Sequence, residues 1–190
     1  MTSALEPRRP RRADARANRE RVIRAAAEVL AERGPQAGVD EIAARAGVGK
    51  ATVYRSFPTK EHLLAAVFCQ WILWLADRAR EGAQEEDAWT ALVDLVTHAF
   101  EQHATNRAFT ADLSTVRNRP EVEAAGAELD AALDVLVERG KRQGVIRADA
   151  TSRDVRVLVG GVGGLLAAQD TADVEIWRRY ALLVAHALRP

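Results

Sequence analysis

The chain has 190 residues, of which 48% are hydrophobic and 28% charged, and its 27 lysines and arginines are matched by 27 aspartates and glutamates. This composition excludes an intrinsically disordered protein, and a single cysteine, Cys69, excludes a small scaffold held together by disulfides. The longest stretch without a charged or strongly polar residue, 157–168, is shorter than the roughly 20 residues of a membrane-spanning helix, so we expect a cytoplasmic chain without a membrane partner.

The zero net charge results from two parts of opposite sign. Residues 1–60 contain 13 basic and 7 acidic side chains, whereas residues 61–190 contain 14 and 20, so the two parts carry +6 and −6. Eight arginines lie between positions 8 and 24. This asymmetry favours an N-terminal module that binds a polyanion, although a basic N-terminal run is also typical of a solvated tail.

Helix-forming residues and helical spacing of apolar residues dominate the chain, and the alternation typical of strands is absent. A disordered, arginine-rich tail is expected over 1–15, and Gly38, Thr59 and Ser152 are the expected caps of the second, fourth and eighth helices. The sequence therefore predicts an all-α chain of about nine helices, with three N-terminal helices followed by a larger bundle. The first predicted helix begins at about Ala15 or Asn18 and ends at Arg33. The other predicted helices span 39–46, 50–56, 60–80, 88–102, 107–116, 121–143, 153–168 and 172–188.

The two short helices at 39–46 and 50–56 have the dimensions of a helix-turn-helix, with Gly47 in the tight turn between them. If Val53 and Phe57 form the buried side of the second short helix, the opposite side is small, polar and basic. Such a surface is typical of a helix that enters the major groove of DNA, although glycine turns also join helices in ordinary bundles. The candidate DNA-facing residues are Lys50, Ala51, Thr52, Tyr54 and Arg55.

One run of the sequence carries a composite signature. The segment 34–68, GPQAGVDEIAARAGVGKATVYRSFPTKEHLLAAVF, resembles the DNA-binding domain of the TetR family of bacterial transcriptional regulators. The resemblance covers about residues 16–76, and the rest of the chain agrees in the number and length of its helices. The matching elements are Ile42-Ala43, Ala46-Gly47-Val48, Thr52-Val53-Tyr54, Phe57, Lys60-Glu61 and Leu63-Leu64.

The resemblance implies a function. It implies a helix-turn-helix DNA-binding domain over 16–62 and an effector-binding and dimerisation domain over 63–190. It also implies a homodimer that binds a palindromic operator and is released by a small, largely apolar effector. Tyr54 and Lys60 would contact phosphates while the face 50–55 reads bases, and a Tyr54 ring packed under its helix is the alternative. No enzymatic activity, cofactor or metal site is expected.

The sequence departs from the family pattern at several positions of the DNA-binding segment. Gly38 occupies a position at which the family usually has Ser or Thr, so a capping hydroxyl is missing. Gly49 and Ala51 stand where Ser and Gly are common, and Ser56 replaces a common His. The operator sequence therefore cannot be inferred from the family.

The last two helices are the dimer surface in this family, so the resemblance implies that residues 153–188 form it. Four glycines between positions 160 and 164 would each cost about 1 kcal/mol relative to alanine inside a helix, which indicates close approach at an interface or a bend beside a pocket. An ordinary core within one chain is the alternative. The candidate interface residues are Val155, Leu158, Gly161, Trp177, Tyr180 and Val184.

The resemblance implies an effector cavity, and the predicted fourth, fifth and sixth helices are among the helices that enclose it in this family. Aromatic residues at helical spacing are also typical of an ordinary core, and this alternative stays open. His98 and His103 are five residues apart and do not share a helical face, so their spacing disfavours a metal site formed by this pair. Cys69 is expected to be a small buried hydrophobic residue rather than a redox sensor. The candidate effector-pocket residues are Trp71, Trp74, Trp89, Phe100, His103 and Phe109.

Two functions from different classes fit the sequence. The first is a ligand-responsive repressor. The second is a DNA-bound interaction protein of the same fold that needs no effector, and a fully packed bundle without a cavity would favour it. An enzyme is disfavoured, because no Ser/His/Asp set, carboxylate pair in an apolar setting or metal-ligand spacing is present in the sequence.

Overall fold

Nine α-helices form in the described part of the chain, which comprises residues 10–106, 114–169, 171 and 173–190 of a computed structural model. One 3₁₀ turn, Gly34–Gln36, joins the first two helices, and the described residues contain no β-strand. These elements confirm the prediction of an all-α chain of about nine helices. The helices are α1 (Pro10–Arg33), α2 (Val39–Ala46), α3 (Lys50–Ser56), α4 (Lys60–Gly82), α5 (Ala88–Thr105), α6 (Ser114–Arg117), α7 (Pro120–Arg142), α8 (Ser152–Ala168) and α9 (Val174–His186).

Two helices begin at prolines, Pro10 and Pro120. Helix α1 starts at Pro10, so the expected tail over 1–15 overlaps the first turns of the helix. Helix α7 starts at Pro120, one residue before its predicted start at residue 121. Proline fits the first turn of a helix because its fixed φ is helical and its missing N–H would have no partner there. Residues 1–9 lie outside the described residues.

The cap of α8 also differs from the prediction. Thr151, and not Ser152, is the N-cap: its hydroxyl accepts the N–H of Asp154 at 3.3 Å, and the Asp154 carboxylate accepts the N–H of Thr151 at 2.8 Å. Ser152 is the first helical residue and is buried. The reciprocal pair is a capping box, which satisfies two donors at the helix start instead of one.

Helix α9 begins later than predicted because Asp173 caps it, with its carboxylate accepting the N–H of Glu175 at 2.9 Å. The predicted helix over 107–116 falls largely on residues 107–113, which lie outside the described residues. Its last part corresponds to α6.

Two hydrophobic cores organise these helices. The first core joins α1, α2, α3 and the first turn of α4, with Val22, Leu30, Ile42 and Val53 almost fully buried. The second core joins α4 to α9, and within it α4 packs mainly along α7 and α5 along α9. The sequence therefore separates into a small N-terminal unit and a larger bundle.

Helix α4 belongs to both cores. Leu63 is buried in the first core and Ala65 in the second, while Leu64 packs partly against each. The boundary proposed at residues 62/63 thus falls within the first turn of one continuous helix. None of the described helices is both long and apolar enough to cross a membrane.

Candidate DNA-binding surface and ligand cavity

The turn between α2 and α3 depends on a left-handed glycine. Gly47 has φ +64°, its N–H donates to the carbonyl of Ala44 at 3.1 Å, and the N–H of Val48 donates to the carbonyl of Ala43 at 3.0 Å. These bonds close the end of α2 in a conformation that glycine adopts without a steric penalty. The chain then turns within two residues into α3, so the helices have the spacing of a helix-turn-helix.

Helix α3 has a buried side and a solvent-facing side, as predicted. Val53 and, just after the helix, Phe57 are almost completely buried in the first core. Tyr54 is 43% exposed, so its ring does not pack beneath the helix. The remaining predicted DNA-facing residues are also accessible: Lys50, Ala51 and Arg55 are exposed and Thr52 is half-buried.

The two cations of α3 differ in their surroundings. The ammonium of Lys50 lies 2.9 Å from the carboxylate of Asp40 on α2, and this hydrogen bond raises the pKa of Lys50. Arg55 has no ion-pair partner among the described residues. Of these two cations of α3, Lys50 is therefore the one held by a carboxylate of the described residues.

Lys60, the other predicted phosphate contact, is half-buried at the start of α4. Its ammonium donates to the carbonyl of Pro35 at 2.6 Å. This bond ties the first turn of α4 to the 3₁₀ turn between α1 and α2. Lys60 therefore stabilises the small N-terminal unit in addition to carrying a charge near its surface.

A further cation lies beside the end of α3. The guanidinium of Arg19 on α1 lies over the ring of Phe57, 4.9 Å from its centroid, which is a cation–π contact. Arg19 was part of the arginine-rich run in the sequence, but nothing in its spacing distinguished it from its neighbours. The packing of α1 against the end of α3 decides which arginine of the run comes close.

The second core borders a half-open cavity of about 790 Å³ between α4, α5, α7 and α8. Most of its wall is aliphatic or aromatic, and Trp71 and His103 are the predicted pocket residues that line it. Phe68, stacked on Trp71 with ring centroids 5.6 Å apart, lines it as well and was missed in the sequence analysis. The apolar lining is supplied by Ile72, Leu75, Leu95, Val96, Ala99, Val122, Leu129, Leu133, Val155 and Val159.

Charged side chains of α6, α7 and α8 form another part of the cavity wall. The Arg156 guanidinium lies 2.5 Å from the Asp130 carboxylate and donates to the carbonyl of Gly126 at 3.4 Å. A Cβ at Gly126 would come within 3.4 Å of the same guanidinium, so the glycine gives Arg156 room to cross to α7. Arg117 and Glu123 complete this polar part of the wall.

His103 is held in one tautomer at the wall of the cavity. Its Nδ1–H donates to the carbonyl of Ala99 at 2.7 Å. Its ring meets Trp71 edge-on at 5.2 Å and stacks on Trp177 at 6.0 Å. Burial lowers the pKa of His103, so the neutral imidazole is favoured at neutral pH.

The other predicted pocket residues lie elsewhere. Trp89 packs between His186 and Arg189, whose guanidinium is 4.0 Å from the Trp89 ring centroid, and lines neither cavity. Phe100 is fully buried with its ring edge-on to Trp177, so it is a core residue. Trp74 lines a second, smaller cavity of about 400 Å³, and Phe109 lies outside the described residues.

The expected interface residues of α8 and α9 divide between two sides of the helices. Val155, Trp177 and Val184 are buried in the core of their own chain. Leu158 is half-buried, and Gly161 and Tyr180 are exposed.

An apolar face of α8 and α9 is open to solvent. On α8, Val157, Gly161 and Leu165 follow one another at intervals of four residues, and Leu165 is 60% exposed. On α9, Tyr180 and Leu183 are exposed, Leu183 by 53%. Of the five residues that define this outer face, Gly161 and Tyr180 were expected at the interface, whereas Val157, Leu165 and Leu183 were not.

The four clustered glycines of α8 have different surroundings. A Cβ at Gly163 would lie 3.5 Å from the His103 ring, so close approach of helices occurs there within one chain. Gly160 and Gly164 line the larger cavity and Gly161 belongs to the outer face, each with open space where a Cβ would be. The helix is continuous through all four.

The described residues offer neither a cluster for a metal ion nor a cysteine with a lowered pKa. The described residues contain no group of three His, Cys, Asp or Glu side chains that could hold a metal ion. The Cys69 thiol is half-buried and donates to the carbonyl of Glu121 at 3.3 Å, and burial raises its pKa. A raised pKa keeps the sulfur as an unreactive thiol, which favours the structural role expected for it.

Family models match both parts of the chain. The model described as bacterial regulatory proteins of the tetR family matches residues 22–67. The model of the C-terminal domain of SbtR-like transcriptional regulators matches residues 87–190, which is more than half of the chain. A search of the curated proteins with the sequence of this chain found no match.

Solved structures share the fold. A TetR transcription regulatory protein from Mycobacterium vanbaalenii is 29% identical with a TM-score of 0.66, over 95% of this chain and 100% of that one. A TetR transcriptional regulator from Streptomyces coelicolor is 26% identical with a TM-score of 0.68, over 90% and 98%. The regulator FadR from Bacillus subtilis, in complex with stearoyl-CoA, is 21% identical with a TM-score of 0.62, over 90% and 99%, and this likeness concerns the fold alone.

Proposed function

The chain belongs to the TetR family of bacterial transcriptional regulators, and from that premise we propose that it is a ligand-responsive repressor. As a family member it is a DNA-binding regulator and not an enzyme. In our proposal a homodimer binds a palindromic operator in the cytoplasm and leaves it when a small, largely apolar effector occupies the larger cavity.

The observation that carries the proposal is the double role of α4. Its first turn belongs to the DNA-binding unit through Leu63 and through the bond from Lys60 to Pro35. Further along, Trp71 and Ile72 of the same helix line the larger cavity. A ligand that shifts this part of α4 therefore acts on the DNA-binding unit through one continuous helix, and effector and operator must weaken each other's binding by the same factor.

The cavity supports an effector over the alternative of an effector-independent interaction protein. A fully packed bundle would favour that alternative, whereas about 790 Å³ is within the usual size of ligand sites. FadR from Bacillus subtilis has the same fold and was solved with stearoyl-CoA, so the fold accommodates a ligand with a long apolar part.

The outer face of α8 and α9 supports a homodimer. Exposed Val157, Leu165, Tyr180 and Leu183 form an apolar surface that one chain leaves in water. Pairing with the same face of a second copy would bury it and produce a two-fold axis. The two α3 helices would then have to reach successive major grooves, about 34–36 Å apart.

The test begins with a gel-shift titration of the full-length protein against the region upstream of its own gene, at moderate salt. We expect a shift that disappears when either half of a palindrome is scrambled. A thermal-shift screen of metabolites and drugs follows, on the wild type and on Ala127→Phe, which adds a ring at the exposed α7 edge of the larger cavity. Absence of any palindrome-dependent shift contradicts the operator, and compounds that stabilise both proteins equally contradict the cavity as the effector site.

A further inference from the structure

The second cavity lies at the junction of the DNA-binding unit and the bundle. Its volume is about 400 Å³. One wall is α1, through Ala27 and Leu30, and the other walls are α4 and α5. Leu30 is almost fully buried in the first core, so this wall is part of the DNA-binding unit itself.

The lining defines the chemistry of an occupant. Phe68, Trp71 and Trp74 present aromatic rings, and the polar groups are carboxamides, Gln70 and Gln102 among them. No charged side chain lines the cavity in the described part of the chain. An ion would find no counter-charge in this half-open cavity, whereas an aromatic ring finds ring partners and amide donors and acceptors.

We propose that this junction cavity is a second ligand site, distinct from the larger cavity, that takes an uncharged aromatic molecule of one or two rings. Its volume lies at the lower end of the range for small-molecule sites, which limits the occupant to this size. Ligand binding at the junction does not depend on the repressor function; only its effect on DNA rests on the proposed function.

The two cavities are separated by shared side chains. Phe68 and Trp71 line both of them. A ligand in either cavity contacts these two rings, so occupancy of one site alters the wall of the other. An occupant of the junction also lies between α1 and α4, where it changes the packing of the DNA-binding unit on α4 directly.

The experiment uses indole as the probe, because it is uncharged, has two fused rings and carries one N–H donor. Titration calorimetry on the full-length protein measures its dissociation constant for the wild type and two matched variants. Ala27→Leu narrows the junction cavity from α1, and Ala127→Leu narrows the larger cavity at its exposed α7 edge. We expect Ala27→Leu to weaken indole binding by about tenfold or more and Ala127→Leu by less than about twofold.

A third variant keeps the test decisive if Ala27→Leu disturbs the fold. Trp74 is 37% exposed and lines only the junction cavity, so Trp74→Ala removes a ring from the site with little loss of core packing. We expect it to weaken indole binding as well. Urea unfolding of each variant establishes that it is folded under the conditions of the titration.

Two outcomes overturn the proposal. If Ala127→Leu loses indole and both Ala27→Leu and Trp74→Ala keep it, the larger cavity is the indole site. If the wild type produces no binding heat up to millimolar indole, the junction is a packing gap only. The gel shift tests the repressor separately. Indole binding without any operator shift supports the junction site and contradicts the proposed repressor. An effector-sensitive operator shift without indole binding supports the repressor and contradicts the junction site.

Discussion

The ammonium of Lys50 and the carboxylate of Asp40 lie 2.9 Å apart, so the first residue of α3 forms an ion pair with α2. Both side chains are more than half exposed, at 53% and 73%. The pair is therefore weak as a source of stability. The pair should lower the affinity of Lys50 for DNA, because a phosphate or a guanine would have to displace the carboxylate of Asp40 from the ammonium.

Asp40→Asn is expected to tighten binding to DNA of any sequence. Removing the carboxylate releases Lys50, and one additional phosphate contact steepens the dependence of log affinity on log salt by about 0.9. The variant also loses an acid from the first turn of α2, which costs about 0.3–1 kcal/mol of stability. Fluorescence anisotropy of labelled operator at several salt concentrations measures the slope.

The matched control is Asp149→Asn. Asp149 also pairs with a cation, Arg147, at 2.6 Å, but it lies between α7 and α8 in the bundle. We expect its affinity and salt slope to equal those of the wild type. Equal slopes for Asp40→Asn and Asp149→Asn would show that Lys50 does not contact phosphate.

Arg55→Ala is expected to relax specificity at one base pair of each half-site. Arg55 is exposed and has no ion-pair partner among the described residues, so its guanidinium can form a bidentate contact with a guanine. The expected loss is about 1–3 kcal/mol for the preferred base and much less for the others. Competition binding with singly substituted operators measures this difference.

Lys60→Ala provides the contrast with Arg55→Ala. We expect it to weaken all DNA sequences alike and, because Lys60 also donates to Pro35, to lower the free energy of unfolding by about 1 kcal/mol. Urea unfolding separates the two effects. A sequence-dependent loss in Lys60→Ala, or a uniform loss in Arg55→Ala, would exchange the roles assigned to these residues.

Leu183→Glu is expected to dissociate the homodimer. Leu183 is 53% exposed on the outer face of α9, and a carboxylate there would be buried without a partner in a paired face. Analytical ultracentrifugation should show monomers at micromolar concentration, together with weaker operator binding. Val135→Glu is the control, since Val135 is 55% exposed but lies on α7. Dimers that persist in Leu183→Glu would place the interface elsewhere.

The stability of the protein is expected to fall as the pH drops below neutral, partly through His103. Burial lowers the pKa of His103 from 6.5, so below that pH the unfolded chain binds a proton that the folded protein does not. The free energy of unfolding should then decrease by up to about 1.4 kcal/mol per pH unit from this residue. Urea unfolding at about pH 7.5 and 5.5, above the range in which most carboxylates titrate, measures the slope at a fixed protein concentration.

His103→Gln should flatten that pH dependence even if it lowers stability overall. His186 forms the same type of bond, from Nδ1 to the carbonyl of Leu182 at 2.7 Å, but it is exposed, so His186→Gln is the control and should keep the wild-type slope. A slope unchanged by His103→Gln would mean that the buried imidazole does not contribute to it.

The helix-turn-helix was predictable from the sequence to the residue, whereas α1 begins at Pro10, earlier than predicted. Helices α2 and α3 have the predicted bounds because the signals that start and stop them are local, with Gly38 before α2 and Gly47 and Gly49 between the two helices. The side of α3 that faces solvent was also correct, since burial of Val53 and Phe57 determines it by helical geometry alone.

Residues of the cavity were predictable only in part. Trp71 and Trp89 both lie at helical spacing among apolar residues, yet Trp71 lines the larger cavity and Trp89 packs against Arg189. Which of them meets a cavity depends on how α4 and α5 cross their neighbours, and no local pattern records that. For the same reason the larger side chains of α8 and α9, such as Trp177, were assigned to the interface although they are buried in their own chain.

The sequence by itself therefore determined the helical class, the helix-turn-helix and its solvent-facing residues, because capping, turns and amphipathic spacing act over a few neighbouring positions. The tertiary structure alone decided that Lys50 is paired with Asp40, that Lys60 holds Pro35, and that α4 joins two cavities to the DNA-binding unit. Those relationships arise between residues distant in the chain, and they depend on the crossing of whole helices rather than on the residues within one.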